Sequence, residues 1–311
     1  MSAFGVKSAY GDLLRVLMHR PGAELGVVTN HNLAEFNYDR PVHRGAFLSD
    51  YDAMLRLFRE HGTEVLLLTE VLKDDSDSLV YMAHRPNMTY TRDLASVFRS
   101  GAVLMSPHLK GRWGDQMMMD RAFQRLGIPV LGAVEPPGFL EGGGVTLIGE
   151  ETAVVSLCDR ANEAGTRMLR DIILGRQVKS FLEVPLPYGY IHIDGIFMVL
   201  DEKLCLVFEE AFRSFPCRLY DADGRPRHIM FLDYLEEIGM RRIAITREER
   251  DAGHLNVVVT RRSRKAVGFA GADRVAAEMK KHGWQLDTFP AEELFQGNGG
   301  AHCMTCPILV S

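Results

Sequence analysis

The sequence predicts an α/β fold in which five similar ββαβ-type units close into a ring, that is, a five-bladed α/β propeller with pseudo-five-fold repeats. The first observation is that a segment with helical apolar spacing ends at a glycine five times along the chain. A glycine at that position can adopt the left-handed conformation that closes a helix at its C-terminus. The five segments and their glycines are 50–61 with Gly62, 115–126 with Gly127, 162–174 with Gly175, 231–238 with Gly239, and 272–282 with Gly283.

The second observation is that short apolar runs follow each of these glycines in the same order. The run directly after the glycine predicts a β-strand, at 64–68, 128–131, 178–182, 242–245 and 284–289. Two further runs joined by a turn predict a β-hairpin, at 94–98 with 102–105, 145–148 with 153–157, 196–200 with 204–208, and 255–260 with 266–269. A helix, a strand and a hairpin therefore recur as one unit.

The third observation is that the two ends of the chain complete the fifth unit. The final run, 307–310, has no hairpin mate, and neither has the N-terminal run, 13–18. Pairing them would close the ring and leave fewer open sheet edges. The five glycines are 65, 48, 64 and 44 residues apart, a spacing typical of a repeat architecture. The alternative is an ordinary α/β domain in which the glycines recur by chance.

The sequence predicts a single catalytic domain over residues 1–311. We find no linker of biased composition that would divide the 311 residues, and a chain of this length can bury a large core. The segment 221–226 is rich in turn-forming residues and predicts a plain surface turn.

Composition restricts the class of partner. The net charge of -5 and the pI of about 6.1 do not favour nucleic acid, and they suit a small cationic substrate. The N-terminus lacks a basic segment followed by an apolar one, and the chain has no run of about 18 apolar residues, so we expect neither a signal peptide nor a membrane span. An odd count of five cysteines favours reduced thiols and a cytoplasmic protein.

Cys303 is the candidate nucleophile. It follows a glycine-rich segment, 297–300, whose backbone freedom can present a thiolate in a loop. A cysteine of this kind, together with a histidine and carboxylates, has the chemical parts for attack on a cationic carbon. Carboxylates can hold a cationic group by accepting hydrogen bonds from its N–H groups.

The remaining chemical residues occupy one position in the repeat, just before the hairpin of a unit. Asp93 lies there in unit one, Glu141 in unit two, and His192 with Asp194 in unit three. Equivalent positions of a ring converge on its axis, so we expect one site there with Cys303. Strand alternation predicts that His192 and Asp194 share a face. Unit four has no acid at this position and is predicted to be structural.

Cys303 and Cys306 also admit other interpretations. The spacing Cys303-x-x-Cys306 could form a redox pair or, with His302, half of a zinc site. The rest of the chain shows no second cluster of ligands, and the sequence therefore predicts no metal and no cofactor. The run Met117–Met119 is interpreted as helix core.

At these residues the sequence resembles the guanidino-modifying enzymes, the amidinotransferase or pentein superfamily, and most of all the arginine deiminases. That family has the motifs Asn-x-x-Phe-Thr-Arg-Asp, Glu-Gly-Gly-Asp, His-x-Asp and Gly-Gly-x-His-Cys-Met-(Ser/Thr). Their counterparts are Asn87–Asp93, Glu141–Gly144, His192–Asp194 and Gly299–Thr305. The four motifs stand in the same order, and the resemblance covers essentially the whole chain. It implies a five-bladed α/β propeller with a central site.

The resemblance also implies a role for each matched residue. Cys303 would be the thiol nucleophile, with His192 as general acid and base and Glu141 orienting it. Asp93 and Asp194 would hold the guanidinium. At the amino-acid end of the substrate, Arg160 and Arg112 would bind the carboxylate, and Asn87 and the backbone of Gly297 would hold the remaining groups.

The implied reaction belongs to arginine metabolism and is the hydrolysis of L-arginine or a close analogue to citrulline and ammonia through a thiouronium intermediate. Two departures leave the subtype open: Gly144 replaces the usual acid, and the compact length lacks the helical insertion of longer arginine deiminases. A dimethylarginine hydrolase, an ornithine-forming arginine dihydrolase and an amidinotransferase remain alternatives, as does a non-catalytic propeller that binds a partner. The oligomeric state, including a homo-oligomer, is left open.

Overall fold

A computed structural model describes residues 3–223 and 225–311 of the protein, and its strands and helices alternate along these residues. The strands are β1 (Leu13–Met18), β2 (Glu64–Leu67), β3 (Ala95–Phe98), β4 (Gly101–Leu104), β5 (Val130–Ala133), β6 (Val145–Ile148), β7 (Thr152–Leu157), β8 (Ser180–Pro185), β9 (Phe197–Asp201), β10 (Leu204–Val207), β11 (Cys217–Tyr220), β12 (Pro226–Ile229), β13 (Arg241–Ala244), β14 (Val258–Arg261), β15 (Lys265–Phe269), β16 (Gln285–Phe289) and β17 (Cys306–Val310). The α-helices are α1 (Leu33–Phe36), α2 (Arg44–Glu60), α3 (Leu68–Val71), α4 (Ser76–Met82), α5 (Gln116–Leu126), α6 (Glu163–Ile173), α7 (Phe231–Glu237), α8 (Arg247–Asp251) and α9 (Asp273–Lys281).

The five predicted glycine stops are confirmed. Helices α2, α5, α6, α7 and α9 each end one or two residues before the predicted glycine. All five glycines have a positive φ, between 67° and 78°. A residue with a Cβ atom is disfavoured in that conformation, so these glycines fix where each helix ends and the next strand begins.

One pairing pattern recurs in the five sheets formed by the described residues. The sheet orders are β3-β4-β5, β12-β11-β8-β7-β6, β13-β10-β9, β14-β15-β16 and β17-β1-β2. In each sheet an antiparallel pair is extended by a parallel strand, and that strand follows the next long helix along the chain. The repeat inferred from the sequence is therefore present as an α/β fold of like units.

The predicted pairing of the chain ends is also confirmed. Strand β1 pairs antiparallel with β17, with Leu13 opposite Val310 and Leu17 opposite Cys306, and it pairs in parallel with β2. Because Cys303 lies just before β17, this pairing fixes the candidate nucleophile against the first unit of the chain.

Several local boundaries differ from the prediction. The turn predicted at 221–226 is present and joins β11 to β12, but these two strands were not predicted, and they extend the sheet of β6, β7 and β8 to five strands; Gly224 itself lies outside the described residues. Helix α2 begins at Arg44 and not at residue 50, because His43 Nδ1 accepts a hydrogen bond from the Ala46 N–H. Strand β5 begins two residues late, since the Ile128 N–H still bonds to the Phe123 carbonyl at the end of α5.

Buried apolar side chains pack the sheets against the helices. Phe47, Tyr51 and Phe58 of α2 and Val16 and Leu17 of β1 are completely buried. Burial of each such side chain contributes about 1.5–3 kcal/mol. Within the described part of the chain, no helix combines the length and apolar character that crossing a lipid bilayer requires.

Short 3₁₀ turns place the candidate chemical residues at the start of three hairpins. The turn Thr91–Leu94 precedes β3, Gly142–Gly144 precedes β6, and Ile193–Gly195 lies just before β9. Asp93 lies within the first turn, whereas Glu141 and His192 are the residues that cap the other two. Asp93, Glu141 and His192 therefore occupy the same position of the repeat in the structure, as the sequence predicted.

Candidate active site

The residues predicted from the sequence come together. Eight of the nine line one cavity of about 30 Å³: Asn87, Asp93, Arg112, Glu141, Arg160, His192, Gly297 and Cys303. The ninth, Asp194, lines an adjoining cavity of about 170 Å³ that also contains His192 and Cys303. Residues more than 200 positions apart in the chain thus face a common space.

The turn that carries Cys303 is held by Asn256 from the fourth unit. Asn256 Oδ1 accepts a hydrogen bond from the His302 N–H at 2.8 Å, and its Nδ2 lies 3.5 Å from Cys303 Sγ. A Cβ atom at Gly300 would overlap with the Asn256 side chain, so a glycine is needed for this close approach. The fourth unit carries no acid at the repeated position, but its Asn256 lies there and contacts the turn that carries Cys303.

His192 and Glu141 form a buried hydrogen-bonded pair. His192 Nε2 lies 2.8 Å from Glu141 Oε2, and the other oxygen of Glu141 accepts a hydrogen bond from the His108 N–H at 3.0 Å. A Cβ atom at Gly143 would come within 2.5 Å of His192 Nδ1 and 2.9 Å of Asp93 Oδ1. The glycines after Glu141 therefore leave the space in which the imidazole and the Asp93 carboxylate approach each other.

The charges around this pair favour an ionised Glu141 and a protonated His192. Burial alone would raise the pKa of Glu141, but the charge of Arg112 and the hydrogen bond from His192 hold that pKa far below its usual range. Burial alone would lower the pKa of His192, but the charge of Asp93 and the hydrogen bond to Glu141 raise it. The free imidazole nitrogen, Nδ1, faces Asp93 Oδ1 at 3.7 Å and Asp194 Oδ1 at 4.0 Å.

Asp93 has one oxygen engaged and one free. Its Oδ2 accepts a hydrogen bond from Arg112 at 2.6 Å, whereas its buried Oδ1 has no hydrogen-bond partner among the described residues. Burial raises the pKa of Asp93 in spite of the Arg112 charge. Arg112 is itself only 2% exposed, so it is not a surface residue, and it binds an acid of the site.

Asp194 is paired with a histidine that the sequence analysis considered only as a zinc ligand. His302 Nδ1 lies 2.8 Å from Asp194 Oδ2, and Cys303 Sγ lies 3.6 Å from the same oxygen. Burial would raise the pKa of Asp194, but the hydrogen bond from His302 lowers it. Burial and the Arg92 charge lower the pKa of His302 to about 4, so the neutral imidazole donates its Nδ1–H to the carboxylate.

The surroundings of Cys303 favour its protonated thiol in the unliganded protein. Burial raises its pKa well above the usual range, and the charges of Asp194 and Asp93 raise it further. A cation bound between Asp194 and Asp93 would offset the charges by which these acids raise the pKa of Cys303. The structure thus places a thiol beside a site for positive charge.

His192 and Asp194 share the site, but they do so through a turn. The prediction that a strand places them on one face is wrong, because Ile193–Gly195 is a 3₁₀ turn and β9 begins only at Phe197. The capping residue His192 is extended, and the turn brings Asp194 back to the same cavity.

The remaining predicted residues, Asn87, Arg160 and Gly297, also line the smaller cavity. Asn87 donates its Nδ2–H to the Phe36 carbonyl at 2.9 Å, and its buried Oδ1 has no partner among the described residues. Arg160 lies 3.6 Å from Glu141 and is not paired with Glu163, which binds Arg218 instead. The Gly297 carbonyl accepts a hydrogen bond from the Tyr90 hydroxyl at 2.8 Å.

The metal and redox interpretations of the cysteines find no support in the geometry. All five cysteines are free. Among residues 3–223 and 225–311, the one group of converging metal-ligand atoms is Asp93, Glu141 and His192, and it includes neither Cys306 nor His302. Arg112 lies within 4 Å of both carboxylates of that group and Arg160 within 4 Å of Glu141, so two guanidinium charges already balance the two acids.

Neutral, buried His302 makes a testable contribution to stability. Its pKa of about 4 in the folded protein is below the unfolded value of about 6.5, so unfolding binds a proton between these pH values. We expect the free energy of unfolding to fall by up to about 3 kcal/mol from this group as the pH falls from about 6.5 to 4. Urea denaturation of wild type and His302→Asn across this range measures it. Equal pH slopes for the two proteins would contradict the assignment.

The sequence matches a known family over nearly its whole length. The match is to the family described as "N,N dimethylarginine dimethylhydrolase, eukaryotic", and it covers residues 26–310. All nine predicted site residues fall within the matched range.

Solved structures share the fold at low sequence identity. The chain is similar to dimethylarginine dimethylaminohydrolase from Pseudomonas aeruginosa, a cysteine-to-serine mutant complexed with citrulline, with a TM-score of 0.73, 17% identity and coverage of 95% of this chain and 99% of that one. It is similar to the N-terminal domain of ArgZ, an arginine dihydrolase from the ornithine-ammonia cycle in cyanobacteria, with a TM-score of 0.73, 15% identity and coverage of 96% and 98%. AgrE in complex with ornithine and NAD+ gives a TM-score of 0.76 and 17% identity, over 96% of this chain but 39% of AgrE.

These structures share the α/β fold of this chain, and the family match places it in the guanidino-modifying, or pentein, superfamily. The sequence match, which spans far more than half of the chain, assigns it more narrowly. The chain belongs to the N,N-dimethylarginine dimethylhydrolase family and is an amidine hydrolase.

Proposed function

We propose that this protein hydrolyses the guanidino group of an ω-N-methylated L-arginine, leaving citrulline and releasing a methylated amine. The observation that carries the proposal is the convergence of Cys303, His192, Asp93 and Asp194 on one cavity in a chain of this family. Unsubstituted L-arginine, with ammonia as the second product, is the other candidate substrate, since the same four residues would serve it.

In the proposed complex, the carboxylates of Asp93 and Asp194 bind the guanidinium of the substrate. The free Oδ1 of Asp93 and the carboxylate of Asp194 accept hydrogen bonds from the guanidinium N–H groups and fix its plane beside Cys303. The unpartnered Oδ1 of Asn87 accepts from the α-amino group, and Arg160 binds the α-carboxylate. In this scheme Arg112 is a positioning residue for Asp93, since the two are already hydrogen bonded.

Attack follows from the charge that the substrate brings. A guanidinium between Asp93 and Asp194 offsets the two charges that raise the Cys303 pKa, so the thiol releases its proton to solvent. The thiolate adds to the guanidinium carbon and forms a C–S bond. His192, which is already protonated, donates its Nδ1–H to the departing nitrogen, the C–N bond breaks, and a thiouronium remains on Cys303.

Hydrolysis reverses the proton transfer. Neutral His192 accepts a proton from water as the hydroxide adds to the thiouronium carbon. The C–S bond breaks, the thiolate leaves, and citrulline is released. Glu141 accepts the hydrogen bond from Nε2–H throughout and therefore keeps Nδ1 as the nitrogen that exchanges protons with substrate and water.

The cavity next to Cys303 favours a substituted guanidine. This cavity, of about 170 Å³, lies on the Asp194 side of the nucleophile and has apolar walls from Tyr190, Ile196 and Phe295. A methyl group on the leaving nitrogen would bury apolar surface there, whereas an unsubstituted N–H₂ group would not. This observation supports methylated arginine over arginine.

Product analysis tests the proposal directly. Purified protein is incubated with L-arginine, monomethyl- and asymmetric dimethyl-L-arginine, and agmatine, and citrulline, ornithine, ammonia and methylated amines are measured by mass spectrometry. We expect citrulline and dimethylamine from dimethylarginine, with kcat/KM at least tenfold above that for arginine. Agmatine, which lacks the carboxylate, should react much more slowly because Arg160 has no partner.

Each alternative gives a different product. Citrulline and ammonia from arginine alone would favour the deiminase reaction, and ornithine with ammonia would favour a dihydrolase. Guanidino transfer to added glycine or ornithine would indicate an amidinotransferase. If none of the guanidines yields an amine or ammonia, the proposed hydrolysis is wrong.

We further propose that the five sheets form one five-bladed propeller and a single catalytic domain over residues 1–311. Support comes from the repeated pairing of the sheets and from β1 joining the last strand of the chain. The cytoplasmic location remains a prediction. Limited proteolysis that releases a stable fragment before the rest unfolds would contradict a single domain.

A further inference from the structure

Arg92 is the residue between Thr91 and Asp93 that the proposed reaction does not use. Its side chain is partly buried, and no carboxylate of the described residues lies within 4 Å of its guanidinium. Instead it donates from Nε to the His302 carbonyl at 3.3 Å and from a terminal nitrogen to Thr305 Oγ1 at 3.1 Å. A partly buried cation without a paired acid loses hydration and gains no ion pair in return. The position of the Arg92 guanidinium therefore costs free energy, which suggests a functional role.

Thr91 and Arg92 contact each residue of the turn that carries Cys303, residues 302–305 (the nucleophile turn). The Arg92 N–H donates to the Cys303 carbonyl at 3.2 Å, and Thr91 Oγ1 donates to the Met304 carbonyl at 3.1 Å. Together with the two guanidinium contacts, residues 91 and 92 bind positions 302, 303, 304 and 305. The backbone on both sides of the Cys303 side chain is therefore fixed from the first unit.

The guanidinium also faces a cavity that the reacting residues do not line. Arg92 and His302 line this third cavity, of about 50 Å³, which neither Cys303 nor Asp194 lines. Ser8, Ser96 and Thr146 contribute polar side chains to the same cavity. It is large enough for a few water molecules, which would solvate the cation without neutralising it.

This arrangement opposes the effect of the acids on the thiol. Asp194 and Asp93 raise the pKa of Cys303, and no arginine other than Arg92 is hydrogen bonded to the nucleophile turn among the described residues. Burial lowers the pKa of Arg92, and the charges of Cys306, Asp194 and Cys303 raise it in return. By Coulomb's law the Arg92 cation in turn favours the Cys303 thiolate, alongside the hydrogen bonds from Asn256 and the Gly300 backbone, which lower the pKa of the thiol.

We propose that Arg92 is a positioning residue that holds the Cys303 turn and supplies a fixed positive charge in favour of the thiolate. The proposal rests on the proposed function only in taking Cys303 as the nucleophile. The charged and titratable groups that share a cavity with this sulfur or contact its turn are Asp93, Asp194, Glu141, His192, His302, Tyr90, Arg112, Arg160, Arg250 and Arg92. The other three arginines each lie within 4 Å of a carboxylate, whereas Arg92 is the arginine of this set that is hydrogen bonded to the turn itself.

The test measures the thiol without any substrate. The rate of Cys303 alkylation by iodoacetamide is followed from pH 6 to 11 by peptide mass spectrometry in wild type, Arg92→Gln and Arg92→Lys. Glutamine keeps an N–H donor without the charge, and lysine keeps the charge. We expect the alkylation midpoint of Arg92→Gln to rise by about one pH unit, which is tenfold less thiolate at a given pH, and that of Arg92→Lys to stay within about 0.3 unit of wild type.

Arg170→Gln is the matched control, because Arg170 is a half-buried arginine that lies over the Tyr220 ring and belongs to helix α6. A folded Arg92→Gln protein with the wild-type midpoint would overturn the proposal. Should that variant not fold, Arg92→Lys decides: a midpoint raised by a full unit in spite of the retained charge overturns the proposal, and an unchanged one supports it. Because no turnover is measured, the result stands apart from the identity of the substrate.

Discussion

Replacing Cys303 with alanine is expected to lower guanidine hydrolysis by a factor on the order of 10⁵, which is about 7 kcal/mol of transition-state stabilisation. Cys303 Sγ lies 3.6 Å from Asp194, one of the acids proposed to hold the guanidinium. The other groups proposed for the site bind and orient the substrate but do not replace this nucleophile. Substrate binding should persist, because Asp93, Asp194 and Arg160 are untouched. The measurement is kcat by citrulline formation, with substrate binding followed by calorimetry.

The control is Cys217→Ala, which removes a buried thiol in β11 and should retain most of the activity. Wild type quenched with acid during turnover should carry an adduct on Cys303 equal in mass to the substrate minus its leaving amine. The Cys303→Ala protein should carry none. An alanine variant that still turns over at a tenth of the wild-type rate would exclude Cys303 as the nucleophile.

The periodic features of the chain could be predicted because they depend on local chemistry. A helix that ends at a glycine, such as α5 at Gly127, has its signal within a few residues. The pairing of β1 with β17 followed from counting which strands lacked a mate. Strands β11 and β12 were not predicted, because each is only four residues long and the exposed polar residues of β12, such as Arg227 and His228, lack the apolar run that predicts a strand.

The sequence could predict which residues belong to the candidate site, but not which contacts they make. Eight predicted residues line one cavity, because motifs fix the residue type at each repeat position. Two of the partners come from other units of the chain: His302 for Asp194, and Asn256 for the Cys303 turn. No local pattern signals such a pair, since its members meet only after the sheets have assembled. Arg112, the partner of Asp93, lies in the loop after the same hairpin.

Replacing His192 with asparagine is expected to lower kcat by 10²- to 10⁴-fold, the range typical of a lost general acid and base. Asparagine can still donate a hydrogen bond to Glu141, so the geometry of the cavity should survive, but it cannot carry a proton to the leaving amine. Because the same nitrogen would activate water, the second half of the reaction should also slow. We therefore expect the thiouronium on Cys303 to persist long enough to be detected by intact-protein mass spectrometry.

His31→Asn, at an exposed position, is the matched control and should leave kcat unchanged. The two halves of the reaction can be separated with a substrate whose amine leaves without protonation. Adduct formation would then be nearly normal in His192→Asn, whereas its hydrolysis would remain slow. Full kcat in this variant, or rapid loss of the adduct, would show that another group moves the proton, and Asp93, 3.7 Å from His192 Nδ1, would be the next to test.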